Sequence, residues 1–389
     1  MRPKMTIMMI NSGLDGVVVA ETRLSMVDGE RGELIIAGVP VEELAANATF
    51  EETVELLWGE SVDLSSRELP PFAIEVLREC ARNRVDVMDA LRLGLECSTQ
   101  NVAQTLLSVR PALDEPMHTG FRPPECAQTG VSVPHHRILA IFPTIVATYW
   151  RLLNAHEPIA PRSDLSHAAN YLWMLRGVAP SAEETRGLET YLNTVIDHGL
   201  NASTFTARVI ASTGSDLVSA IVGALGALKG PLHGGAPGPA LDMVFEIGDA
   251  SRAEEVLRRK IESGEKLMGF GHRVYKVRDP RADVLNAAAH RLFTRGGDLA
   301  LYELARAVEE TALRLLEEYK PGRRLQTNVE FYTALLLHGL GLEAPLFTPT
   351  FAISRVAGWL AHCAEQRATG RIIRPQSVYV GVSAALRAQ

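Results

Sequence analysis

The chain has 389 residues, 47% hydrophobic and 22% charged, which is enough apolar material for a sizeable core and excludes extensive disorder. At roughly 150 residues per domain, the length predicts two to three domains. With 39 basic against 46 acidic side chains the net charge is −7, which argues against a general nucleic-acid partner but permits a local basic pocket for a small anion.

The apolar run from Met5 to Ile10 is too short for a secretion signal. Residues 14–38 read as extended. Their β-branched runs, VVVA and LSMVDGERGELIIAG, flank Asp28-Gly29 and Arg31-Gly32, a hairpin signal. From about residue 40 the apolar spacing becomes helical. Thr49 to Trp58 opens with an N-cap threonine and a glutamate three residues on, a capping box. Further helices are expected near 71–83, 86–97, 137–154, 164–176, 182–199, 214–228, 252–263, 281–294, 298–319, 328–340 and 349–367. The stretch 113–136, rich in Pro, Gly and Thr, reads as a loop, and residues 98–136 carry no functional assignment. No stretch approaches the roughly 18 consecutive apolar residues of a membrane span. Cys80, Cys97, Cys126 and Cys363 form no CxxC pair, so neither a zinc knuckle nor a disulfide framework is indicated and a reducing cytoplasm is expected.

Four polar clusters interrupt the helical pattern: Asp197 to Phe205, Lys229 to Pro237, Met268 to Arg281, and Thr327 to Tyr332 followed by Arg355 and Arg374. Singly each has a plain structural reading. Gly230–Gly238 and Gly264–Gly271 suit chain reversal or a hinge, Pro280 suits a first helical turn, and Asn328 suits an N-cap. Together, two histidines in glycine-flanked turns, a carboxylate at a helix start and several arginines supply a base, electrophilic donors and clamps for acid groups. Those are the parts needed to abstract a proton beside a carbonyl.

The motifs GLDGV from Gly13, VDGERGEL, SHAAN, HGLNASTF, GPLHGGAP, MGFGHRVYKVRDPRA, NVEFY, FTPTFAISRVAGW and RPQSVYVG occur in one order over nearly the whole chain. In this the chain resembles the citrate synthases. The resemblance implies a mainly α, multihelical fold with a short N-terminal β-hairpin. It implies a large domain (1–232 and 340–389) that dimerises and holds oxaloacetate, and a small domain (233–339) that binds CoA and carries the catalytic carboxylate. It also implies a homodimer, acetyl-CoA and oxaloacetate as substrates, and no metal or other cofactor. By position, Glu330 matches the base that removes a methyl proton, His233 the donor to the enolate oxygen, and His272 the group that polarises the oxaloacetate carbonyl. His198 and Asn201 lie in the oxaloacetate-contacting motif. Arg281 and Arg355 match carboxylate-binding arginines, and Arg374 matches an arginine that reaches the neighbouring subunit's site. Leu267, Met268, Gly269, Phe270 and Gly271 match backbone that reads the CoA adenine, and Lys276 a basic residue on CoA phosphate. The motifs begin at Gly13, so the inhibition by NADH of longer family members is not expected.

One position departs from the common pattern. Most of the family has Asp where this chain has Glu330, longer by one methylene, and NVEFY resembles a bacterial subgroup that shares the change. Three readings follow: citrate synthase; 2-methylcitrate synthase acting on propionyl-CoA; or a catalytically weak paralogue that binds CoA or a dicarboxylate. Acyl-pocket shape separates the first two, and one methylene is worth only about 1–3 kcal/mol there.

Overall fold

The computed structural model describes residues 13–14, 16–98, 133–234, 237–272, 274–296 and 298–381. The Met5–Ile10 run, Cys126 and most of the 113–136 stretch lie outside these residues.

The predicted hairpin is present. Strands β1 (Ser25–Asp28) and β2 (Glu33–Ile36) pair antiparallel, with Ser25 opposite Ile36 and Val27 opposite Leu34, and a short β3 (Val39–Pro40) adds to β2. Asp28 Oδ1 accepts from the amides of Glu30 and Arg31, an Asx arrangement that closes the turn. Leu34 and Ile36 alternate inward and are fully buried. The VVVA run forms no strand, contrary to its β-branched composition. Val17 and Val19 line a cavity described below instead of pairing with β1 or β2.

All remaining regular structure among the described residues is helical. The first four helices are α1 (Val41–Asn47), α2 (Phe50–Trp58), α3 (Pro71–Arg82) and α4 (Val87–Cys97). They are followed by α5 (His135–Leu153), α6 (His167–Arg176), α7 (Ala182–Val195), α8 (Ala202–Ser212) and α9 (Leu217–Leu228). Next come α10 (Pro237–Ile247), α11 (Ala253–Glu262), α12 (Pro280–Thr294) and α13 (Leu299–Tyr319). The last two are α14 (Val329–Gly339) and α15 (Phe347–Thr369). The Thr49–Glu52 capping box forms as expected.

Two helices make the centre. In α5 every residue from Ile138 to Tyr149 is buried, and in α15 every residue from Ala352 to Cys363 is buried. Helices apolar on all sides belong inside a larger core. Around them α8 packs on α9 and α15, α5 on α3, α4 and α6, and α12 on both α7 and α14. Cys80, Cys97 and Cys363 are buried free thiols. No helix among the described residues is long and apolar enough to cross a membrane.

Candidate active site

The HGLNASTF motif leaves the end of α7 and starts α8. Asn201 is the N-cap of α8: its Oδ1 accepts from the Thr204 amide (3.2 Å) and lies 2.8 Å from the Ser203 hydroxyl. Its Nδ2 donates to Gly199 O and Thr204 Oγ1, so the amide is engaged within its own loop. The backbone flanking His198 is pinned from the β-sheet. The Ser25 hydroxyl accepts from the Gly199 amide (2.9 Å) and donates to Asp197 Oδ2 (2.5 Å). Asp197 is fully buried and also accepts from His362 Nε2 (3.2 Å).

His233 sits in the turn after α9. The Ser203 backbone N–H, in the first turn of α8, points at His233 Nε2 (3.4 Å), and the Ser203 hydroxyl lies 2.8 Å from the same nitrogen. The Ser203 amide can only donate, so Nε2 of the neutral ring is an acceptor, the Ser203 hydroxyl turns its proton to the same nitrogen, and the ring proton sits on Nδ1. Burial, together with Arg355, lowers the His233 pKa to about 4, so the ring is neutral near pH 7.

His272 lies in the loop that leads into α12. Its Nδ1 accepts from the amides of Val274 (3.0 Å) and Tyr275 (3.1 Å), which leaves the neutral ring's proton on Nε2. Burial and the nearby Arg281 guanidinium lower its pKa to about 4. The Arg281 guanidinium lies 3.4 Å from His272 Nε2. Two N–H groups cannot satisfy each other, so both remain available to an oxygen placed between them. Arg281 is held by Asp279, the α12 N-cap, in a buried ion pair.

Glu330 occupies the first turn of α14, whose N-cap is Asn328; Asn328 Oδ1 accepts from the Glu330 amide (3.0 Å). The MGFG run lies alongside this helix start. Phe270 and Thr327 form an antiparallel bridge, the Asn328 amide donates to Gly269 O (3.0 Å), and Asn328 Nδ2 donates to Gly271 O (2.7 Å). Gly269 has φ 88°, and a Cβ there would lie 2.9 Å from Phe331, so only glycine lets the loop lie this close. Burial raises the Glu330 pKa to about 7, against the opposing pull of Arg281 and, more weakly, Arg355.

His198, Asn201, His233, His272, Arg281, Glu330 and Arg355 all line one cavity of about 690 Å³. Arg355 reaches it from α15, with Nε donating to Val195 O (2.8 Å) and the guanidinium 4.6 Å from the centre of the Phe351 ring. Arg281 and Arg355 are both buried, so an acidic protein places two guanidinium groups at this cavity. Leu267 to Gly271 and Lys276 do not line this cavity. The former run beside the start of α14, while Lys276 is exposed, its amide bonded to Gly29 O of the hairpin turn. Arg374 is exposed in the extended C-terminal segment and does not line the cavity either.

Four residues here escaped the sequence reading. Tyr275 is buried beneath His272, and its hydroxyl lies 3.1 Å from His198 Nε2. Asp279 clamps Arg281, and Ser203 orients His233. Glu309, buried on α13, accepts from Thr327 Oγ1 (2.6 Å) and Tyr332 OH (2.5 Å), which stand on either side of Glu330. Tyr275 and Asp279 stood inside a quoted motif; Glu309 looks like any other helix-surface glutamate in sequence. The N-terminal motif gains a place as well, since Gly13, Leu14, Gly16 and Val17 lie on the cavity wall.

The family model for the citrate synthase C-terminal domain matches residues 13–376. Citrate synthase of Haloferax volcanii is 38% identical over 385 residues, 96% of each chain. 2-Methylcitrate synthase of Mycobacterium tuberculosis is also 38% identical, over 96% of this chain and 91% of its own. The ternary complex of Thermoplasma acidophilum citrate synthase with carboxymethyl coenzyme A and oxaloacetate superposes with a TM-score of 0.79 at 29% identity, over 96% of this chain and 97% of that one. The chain belongs to the citrate synthase family.

Proposed function

We propose that the chain is an acyltransferase that condenses acetyl-CoA with oxaloacetate and then hydrolyses the thioester to citrate and CoA. The observation that carries this reading is the convergence of one carboxylate, two neutral imidazoles and two buried arginines on a single cavity. Arg281 and Arg355 hold the two oxaloacetate carboxylates. Oxaloacetate's ketone oxygen then lies against His272 Nε2–H, which polarises it and donates to the developing alkoxide. Glu330 takes a proton from the acetyl methyl group while His233 Nδ1–H stabilises the enolate oxygen. Pre-aimed donors of this kind are worth on the order of 3–4 kcal/mol each. The enolate carbon attacks the ketone carbon, and water cleaves the resulting citryl thioester. His198 and Asn201 complete the oxaloacetate wall. No metal or organic cofactor enters the scheme.

In this reading Leu267, Met268, Gly269, Phe270, Gly271 and Lys276 receive CoA. Residues 233–339 act as a small domain that closes on residues 1–232 and 340–389 to exclude water. Arg374 serves the site of a second copy of the chain in a homodimer. The C-terminal segment that carries Arg374 supports this, because Ile372, Val378, Tyr379 and Val380 are exposed apolar side chains that a second copy would cover. The reaction belongs to central carboxylic-acid metabolism, in the cytoplasm.

The test is release of CoA thiol from acetyl-CoA by the purified protein, expected only when oxaloacetate is present. A second reading, propionyl-CoA as the acyl donor, is favoured by the equal identity to the Mycobacterium enzyme. The ratio of kcat/KM for the two thioesters decides between them.

A further inference from the structure

We propose that Glu60, His135 and His136 form a binding site for a divalent transition-metal cation of the zinc–copper class, away from the reaction cavity. Glu60 follows Gly59, the left-handed C-cap of α2, which turns the chain toward the start of α5. There His135 and His136 open the helix, with Pro134 as N-cap. His135 Nε2 lies 2.6 Å from Glu60 Oε1, and His136 Nε2 lies 3.9 Å from the same oxygen. One ligand atom from each residue falls within 4.8 Å of the others, and among the described residues no other trio of His, Cys, Asp or Glu does so. Tetrahedral coordination with bonds of about 2.0–2.1 Å sets ligand atoms roughly 3.3 Å apart, between the two separations seen. Two imidazoles and a carboxylate suit zinc, copper or nickel and not the oxygen-seeking magnesium and calcium.

The surroundings hold the ligands without closing the site. Trp58 packs edge-on against both rings, with centroids at 4.7 and 5.3 Å. Glu60 and His135 line a second cavity, of about 710 Å³, which gives a cation a way in and leaves room for a water as fourth ligand. None of the three lines the reaction cavity. Binding replaces the contact between His135 Nε2 and Glu60 Oε1. It also requires His136 to free Nε2: its Nδ1 now accepts from the Asp63 amide (3.2 Å), so its neutral ring carries the proton on Nε2. The ring proton moves to Nδ1, and that exposed amide turns to water. Affinity therefore stays below that of a closed four-ligand site. A bound cation joins the end of α2 to the start of the central helix α5.

Calorimetric titration of the full-length protein with Zn²⁺ tests the proposal, together with electron paramagnetic resonance of the Cu²⁺ complex. We expect one site per chain, at least tenfold weaker Zn²⁺ binding in both Glu60→Gln and His135→Ala, and unchanged binding in His290→Ala, which alters an exposed histidine elsewhere. Cu²⁺ should show hyperfine coupling to two imidazole nitrogens, lost in part in His135→Ala. Zn²⁺ should raise the melting temperature of the native protein and not that of Glu60→Gln. Absence of Zn²⁺ binding overturns the proposal, and so does binding that the Glu60 and His135 substitutions leave intact. These readouts do not depend on which reaction the chain catalyses.

Discussion

Asp279 grips Arg281 through both carboxylate oxygens, at 3.0 Å to Nε and 2.8 Å to a terminal guanidinium nitrogen, and its Oδ2 also receives the Val329 amide (3.3 Å). One carboxylate thus sets an arginine of the proposed oxaloacetate pocket and the first amide of the helix that carries Glu330. Removing one member of a buried pair leaves the other unpaired, at a cost of about 3–5 kcal/mol. Asp279→Asn keeps the shape and removes the charge. It should raise the KM for oxaloacetate tenfold or more, measured at saturating acetyl-CoA. Unchanged oxaloacetate kinetics would show that Arg281 needs no such partner.

The pH dependence follows from three groups. A base with a pKa of about 7 must be ionised to work, so kcat/KM should fall about tenfold per unit as pH drops below 7. His233 and His272, both at about 4, are neutral on both sides of that limb and add none of their own above pH 5. A profile flat from pH 5 to 8 contradicts the assignment of Glu330 as base.

Glu330 also ties activity to stability. Its folded pKa lies above the ordinary carboxylate value near 4.5, so the native state binds more protons than the unfolded state between about pH 4.5 and 7. Stability therefore declines as pH rises through that window, by on the order of 3–4 kcal/mol for this group. Glu330→Gln should melt higher than the native protein at pH 8 and lose roughly 10²–10⁴-fold in kcat. Glu330→Asp withdraws the carboxylate by about 1.5 Å, and a misplacement near 1 Å costs on the order of 100-fold. A faster Asp variant would instead identify a detuned paralogue.

Tyr275→Phe removes the hydroxyl beside His198 and leaves the ring beneath His272. A buried hydrogen bond contributes roughly 0.5–1.5 kcal/mol, so kcat/KM for oxaloacetate should fall about three- to tenfold with the fold intact. Normal oxaloacetate kinetics in this variant would remove Tyr275 from the site.

Arg374→Ala mixed with Glu330→Ala should regain activity in exchanged heterodimers if Arg374 completes a neighbouring subunit's site. No recovery, with subunit exchange verified, argues for sites confined to one chain.

Much of the fold was legible because long helices announce themselves through apolar spacing and caps. The Thr49 capping box and the boundaries of α3, α4 and α12 fell within a residue or two of expectation. Three helices went unread: α1, α8 and α10. The start of α8 is rich in small polar residues and α10 follows a glycine-rich turn, so local composition favoured loop while packing against α9 and α15, or against α14, decides for helix. VVVA misled in the opposite sense, because β-branched residues also suit a cavity wall. In the site, the motif residues His198, His233, His272, Arg281, Glu330 and Arg355 were legible and the cavity unites them. Their supports were not: Glu309 meets Thr327 and Tyr332 only through the tertiary fold, and nothing in its neighbouring sequence marks it.

The position of the Glu330 carboxylate in a complex with oxaloacetate and carboxymethyl-CoA, a non-reacting mimic of acetyl-CoA, bears most directly on the account. One carboxylate oxygen should lie about 3–3.5 Å from the carbon that stands for the acetyl methyl group. A side chain directed away from that carbon in the closed protein, with another group in its place, would contradict it.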